Sequence, residues 1–176
     1  MVNGGLDFKR FDQVLAVLIK HGKVKLYNQD ARVNVLGGAP ACEPATDAAM
    51  AAAILSSFHE VNLPPDIVFV GEVDLGGAAP LATRRDTLVP ARGRPGGIPR
   101  LPSQGARARC AGELRAVRAL EKRVATAVQL GFRKVVAPRG SAAVLPQHLR
   151  AHVVECGTVR QLKSLLLAKG KLRENA

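Results

Sequence analysis

Residues 47–53 read DAAMAAA, so a helix over this run has almost no bulk on one side. Alanine is the strongest helix former, and Pro44 just upstream suits a first helical turn. A thin helix buries useful area only where its neighbours' backbones come very close. The fold must therefore lay a sheet or another helix directly against it. The predicted helix runs from Pro44 to about His59. Met50, Ile54 and Phe58 stack at four-residue spacing with Leu55 beside them, and Ala48, Ala49, Ala51, Ala52 and Ala53 cover the rest.

The flanking segments supply those neighbours. Asp7 can cap a helix to about Lys20 that sets Phe8, Phe11, Leu15 and Leu18 on one face, with Gly22 ending it. ARVNVLGG (31–38) alternates and is β-branched, which predicts a strand closed by two glycines. DIVFVGEVDL (66–75) is a continuous apolar run and reads as a buried strand. EKRVATAVQLGF predicts an amphipathic helix with Leu120, Val124, Ala127 and Val128 inward. RKVVAP (133–138) and AHVVEC (151–156) are two short buried strands. Thr158 and Gln161 form a capping box for a last helix that buries Leu162, Leu165 and Leu166 and stops before Gly170. Strands and helices alternate throughout, so the class is mixed α/β or α+β in one domain.

Residues 78–111 break that rhythm. Of these 34 positions, 23 are Ala, Arg, Pro or Gly, seven are Arg, and Asp86 is the single acid. Five prolines and four glycines oppose helix and sheet, so the segment is expected to be disordered. A structureless stretch this long inside a compact domain is either functional or foreign. Its composition, with CAGE (110–113) at its end, favours a translated intron over a loop with unspecific affinity for nucleic acid.

Over the whole chain Lys and Arg number 26 against 14 Asp and Glu, a net charge of +12. That excess suits an anionic partner such as nucleic acid, and equally a merely soluble basic surface. Cys42, Cys110 and Cys156 are odd in number and widely spaced, as expected of reduced intracellular thiols rather than disulfides. His21, His59, His148 and His152 have no metal-ligand spacing with acids or thiols. No run reaches the ~18 apolar residues of a membrane span, and no signal or transit peptide follows Met1.

Removing 78–111 joins GEVDLGG (71–77) to GELRAV (112–117) as strand, turn and strand. The joined block resembles the G-E-V-x-L-x-G-E-[IL]-R stretch of the C-terminal, Lon-like domain of the RadA (Sms) family. VNVLGGAPACEPATDAAMAAAILSS (33–57) is similar to that family's V-N-V-x-G-G and E-P-x-x-D-L-A helix, and LGFRKVVAP (130–138) to its L-G-F-x-[KR]-x-[IV]-x-P. The resemblance covers roughly 6–77 and 112–168. It divides the chain into one Lon-like domain (1–77 and 112–170), an insert (78–111) and a tail (171–176).

The resemblance implies an α+β fold like the proteolytic domain of Lon, a β-sheet with packed helices. It also implies the setting of RadA, a ring-forming, typically hexameric, ATP-driven motor that assists branch migration in recombinational DNA repair. In that family the Lon-like domain binds DNA and holds like subunits together. The motor's G-x-x-x-x-G-K-[ST] phosphate loop and its four-cysteine zinc element do not occur in this sequence. ATP, Mg and Zn are therefore expected only in domains outside it, and the chain is expected to be the accessory domain alone or a fragment. The implied location is cytoplasm or nucleoid in a bacterium, plastid or mitochondrion in a eukaryote.

Lon-type peptidases set a serine at the start of the alanine helix and a lysine base on a later helix. Over this chain those positions fall on Ala45 and Glu121, so no peptidase is expected. A dyad displaced by one place, Thr46 with Lys122, is the enzymatic alternative, although one helical step turns a side chain by about 100°. Asp47 suits the first-turn dipole. Arg115, Arg118, Lys122 and Arg123 cluster near a strand end and the helix after it, and Arg133, Lys134 and Arg139 flank the next strand. These seven are the candidate phosphate contacts, and each also fits a solvated surface. A pure assembly module is the third reading.

Overall fold

The structure, a computed structural model, describes residues 2–3, 5–36, 42–74 and 112–168. The expected insert (78–111), the tail (171–176) and Cys110 lie outside the described residues. Helix α1 spans Phe8–Lys20, with the Asp7 carboxylate accepting from Lys9 N at 3.0 Å as its cap. The buried face is Phe11, Val14, Val17 and Leu18. Phe8 has the right spacing for that face but stands 63% exposed at the first helical position. The run expected as a strand over 31–38 is regular only at β2, Val33–Asn34, which pairs in parallel with β1, Val2–Asn3.

The alanine helix begins with a 3-10 turn, Pro44–Thr46, and continues as α2, Asp47–Phe58. Ala48, Ala51 and Ala52 have no exposed surface, and Met50, Ile54 and Leu55 are buried with them, whereas Ala49 and Ala53 face out. The close approach required by the small side chains is met from both sides. Helices α1 and α6 (Val159–Leu167) pack on α2, and so do β3 (Ile67–Phe69) and β4 (Glu72–Val73).

The continuous strand expected over 66–75 is broken at Val70–Gly71. Gly71 N donates to Ala45 O and Gly71 O accepts from Ala48 N, both at 3.0 Å. A Cβ on Gly71 would meet Pro138 Cγ at 3.3 Å and Ala48 Cβ at 3.4 Å, so only a glycine passes without displacing a neighbour. Beyond the break, β4 pairs antiparallel with β5, Leu114–Arg115. Asp74 N donates to Glu113 O at 2.8 Å and Gly112 N to Asp74 O at 2.7 Å. The two blocks on either side of the insert thus form the expected strand pair.

The main sheet is parallel, in the order β3, β6 (Lys134–Pro138), β7 (Val153–Cys156). Period-two alternation sends its side chains to two cores. Ile67, Phe69, Val136, Val154 and Cys156 face α1, α2 and α6. Val68, Val70, Val135, Ala137 and Val153 face α3 (Leu120–Gln129) and the short helices α4 (Ser141–Val144) and α5 (Gln147–Arg150). Neither short helix has a sequence-level signal. On α6, Thr158 Oγ1 accepts from Gln161 N at 3.1 Å, while the Gln161 amide reaches back one residue further than expected, to Gly157 N at 2.9 Å. The class is α+β, as expected. Among the described residues no helix is long and apolar enough to cross a membrane.

Candidate functional site

The reciprocal Gly71 hydrogen bonds anchor the 3-10 turn at the C-terminal end of β3. Open parallel sheets characteristically bind ligands at that end of their strands. A pocket of about 510 Å³ opens there. Pro44, Ala45, Ala116 and Val117 line it with apolar side chains, only Ala45 of them buried, and Glu43, Glu72, Arg118 and Arg123 add a charged rim.

Most of the rim is internally matched. Arg123 is ion-paired to Glu43 across the opening, and its Nε donates to Arg118 O at 3.1 Å. Arg10 lies behind Glu72 at 3.6 Å, but its hydrogen bonds, at 2.6 and 2.9 Å, go to the Asp47 carboxylate. Asp47, only 2% exposed, also accepts from Val73 N at 3.0 Å. The Asp47 hydrogen bond pushes the Arg10 guanidinium further above its ordinary range. Arg118 is exposed and has no carboxylate partner among the described residues.

The peptidase positions are not brought together. Ala45 is buried in one cluster with Leu120, Val124 and Ala127, so the face of α3 turned to it is wholly apolar. Glu121 and Lys122 are exposed on the outer face of that helix and do not line the pocket. The Thr46 hydroxyl donates to Glu43 O at 2.7 Å.

Six of the seven candidate cations sort to opposite edges of the sheet, and the seventh, Lys122, stands on the outer face of α3. Arg115, Arg118, Arg123 and Arg139 lie at the C-terminal edge, where Arg139 packs beside Gly157. Arg133 and Lys134 lie at the N-terminal edge. Six strand steps of ~3.3 Å put Arg133 and Arg139 roughly 20 Å apart. Arg115 is bound to the buried carboxylate of Asp74 at 2.6 Å. Lys134 Nζ donates to Ala151 O at 3.2 Å, and Arg133 is 3.9 Å from Asp66. At this edge His152 Nδ1 contacts Arg133 O at 3.0 Å and Arg150 Nε donates to Leu145 O at 2.8 Å, two cation-forming residues that sequence spacing did not single out.

No family model matches the chain. Individual proteins do. The DNA repair protein RadA of Synechocystis sp. is 32% identical over 140 residues, covering 80% of this chain and 21% of that protein. RadA of Streptococcus pneumoniae is 29% identical over 164 residues, 93% of this chain and 31% of its own length. Over this span the chain belongs to the RadA family. It covers between about a fifth and a third of those two relatives, within their C-terminal region. Over a shorter stretch of 73 residues, identity to RadA of Pseudomonas aeruginosa rises to 45%. The GEV and GELR blocks that carry the RadA resemblance are β4 and β5, the strands that close the pocket's side of the fold.

Proposed function

We propose that this RadA-family chain is a DNA-contacting and self-assembling module of a recombinational repair protein, acting in branch migration without peptidase chemistry of its own. The observation that carries the DNA reading is the set of cations left without a close carboxylate. Arg118, Lys122 and Arg139 are exposed and make no ion pair among the described residues, and Lys134 is held by a backbone carbonyl. Arg133 meets its acid only at 3.9 Å. Phosphate recognition needs such cations and little else. Arg115 and Arg123 add less to this reading, because carboxylates already hold them. The methyl group of Ala45, packed against apolar residues of α3, supports the non-catalytic reading.

Fluorescence anisotropy with labelled single-stranded and duplex DNA at low salt tests this. Binding is expected, with a log–log salt slope that falls by about 0.9 for each duplex phosphate contact removed. Neutralising Arg118, Lys122, Arg133, Lys134 and Arg139 together should abolish it. Absence of binding to either DNA form sinks the DNA half. Ring or oligomer formation with no salt-sensitive DNA affinity would leave only the assembly role. Labelling by a serine- or threonine-directed covalent probe in the 3-10 turn would restore the peptidase.

A further inference from the structure

We propose that the pocket over Ala45 binds a single α-carboxylate with an amide N–H beside it, the chemistry of a peptide's C-terminal residue and of an N-acyl amino acid. The rim charges select the class. Glu43 is matched by Arg123, and Arg10 gives its hydrogen bonds to Asp47. Arg118 is then the rim cation without a carboxylate partner among the described residues, and Glu72 is the rim acid without a close hydrogen bond, so the net-neutral rim offers a place for one carboxylate beside one acceptor. A guanidinium presents two parallel donors, which match the two oxygens of a carboxylate.

A phosphate dianion is disfavoured in the same space, because its two charges would face one open cation, Arg118, with the carboxylate of Glu72 beside it. Glu72 is 3.6 Å from Arg10, beyond a close hydrogen bond, and retains acceptor capacity toward the cavity. An N–H next to the bound carboxylate satisfies it. Pro44, Ala45, Ala116 and Val117 contribute apolar side chains to the lining, which suits a ligand with an apolar side chain. A volume of about 510 Å³ falls within the range of small-ligand sites and accommodates a short chain end. The pocket is preformed, since the Gly71 hydrogen bonds hold the turn that carries Ala45 in place.

Isothermal titration of the whole chain with N-acetyl-L-leucine, its C-terminal amide, N-acetyl-Ala-Ala-Leu and inorganic phosphate tests the site without DNA, so its outcome is independent of the DNA reading. The acid should bind and the amide should bind at least about tenfold more weakly, the loss expected for a charge-assisted contact. Arg118→Gln should weaken the acid by a similar factor and leave the amide unchanged, and Arg118→Lys should recover part of the loss. Glu72→Gln should weaken the amide more than the acid, because the lost charge serves the N–H of both ligands but also repels the carboxylate of the acid. A tripeptide that binds more tightly than acetyl-leucine assigns the site to chain ends, and equal affinity assigns it to free N-acyl amino acids. Arg118 is exposed, so its variants should keep the wild-type circular dichroism. The proposal fails if the acid does not bind, if acid and amide bind equally, if phosphate competes as well as the acid, or if folded Arg118→Gln binds like wild type.

Discussion

Arg10 on α1 and Asp47 at the start of α2, 37 positions apart, meet in a two-pronged ion pair with distances of 2.6 and 2.9 Å. Because Asp47 also accepts from Val73 N, this one carboxylate ties α1, α2 and β4 together. Removing one partner of a buried pair strands the other charge, at a cost of about 3–5 kcal/mol. Arg10→Ala is therefore expected to lower the urea midpoint by the equivalent of about 3 kcal/mol with an unchanged slope. The paired change Arg10→Met with Asp47→Leu should regain most of that. A single-variant loss below about 1 kcal/mol would show that the pair behaves like an exposed one.

Gly112 and Gly131 share a left-handed backbone, at φ +87° and +89°, but differ in surroundings. A Cβ on Gly112 would stand 2.7 Å from His21 Cβ, while one on Gly131 meets nothing within 4 Å. Gly131→Ala should cost only the backbone strain, about 1–2 kcal/mol. Gly112→Ala adds a clash where β5 joins the core and should melt well below it. Equal melting temperatures for the two variants would contradict the packing.

His59 ends α2 with its ring edge-on to Phe58 at 5.0 Å, and its buried Nε2 has no hydrogen-bond partner among the described residues. Burial and, secondarily, the nearby Lys163 ammonium oppose charging, so its pKa is lowered from the usual 6.5. Below 6.5 the unfolded chain then binds more protons than the folded one, and stability falls as pH drops through the window between 6.5 and the lowered value. His59's contribution is fully present above that window. Urea midpoints at pH 7 and pH 5 should differ by less in His59→Leu than in the wild type. An unchanged difference would remove His59 as the cause.

Cys42 is exposed and Cys156 fully buried, with its thiol pushed by burial up to about 11. Thiolate is the reactive form. Mapping of alkylated cysteines at pH 8 should find Cys42 modified in the native protein and Cys156 only after denaturation. Native labelling of Cys156 would mean that β7 opens readily.

The two caps, Asp7 on α1 and Thr158 on α6, were legible because each acts within three residues of itself. The dense packing of Ala48, Ala51 and Ala52 was legible for a related reason: small side chains bury useful area only where a neighbour comes very close. The pairing of β4 with β5 was readable only because the matching blocks on either side of residues 78–111 belong to one short motif. The break at Gly71 was decided by a carbonyl from Ala45, 26 positions upstream, that no periodicity reveals. Charge roles were settled the same way. Arg115 and Arg123 looked like their neighbours in sequence until Asp74 and Glu43, 41 and 80 positions away, claimed them. Local chemistry therefore set the elements and their inward faces, which depend on spacing along the chain. Only the tertiary structure decided which charges are matched and which remain open to a ligand, because a Coulomb partner is chosen by distance in space.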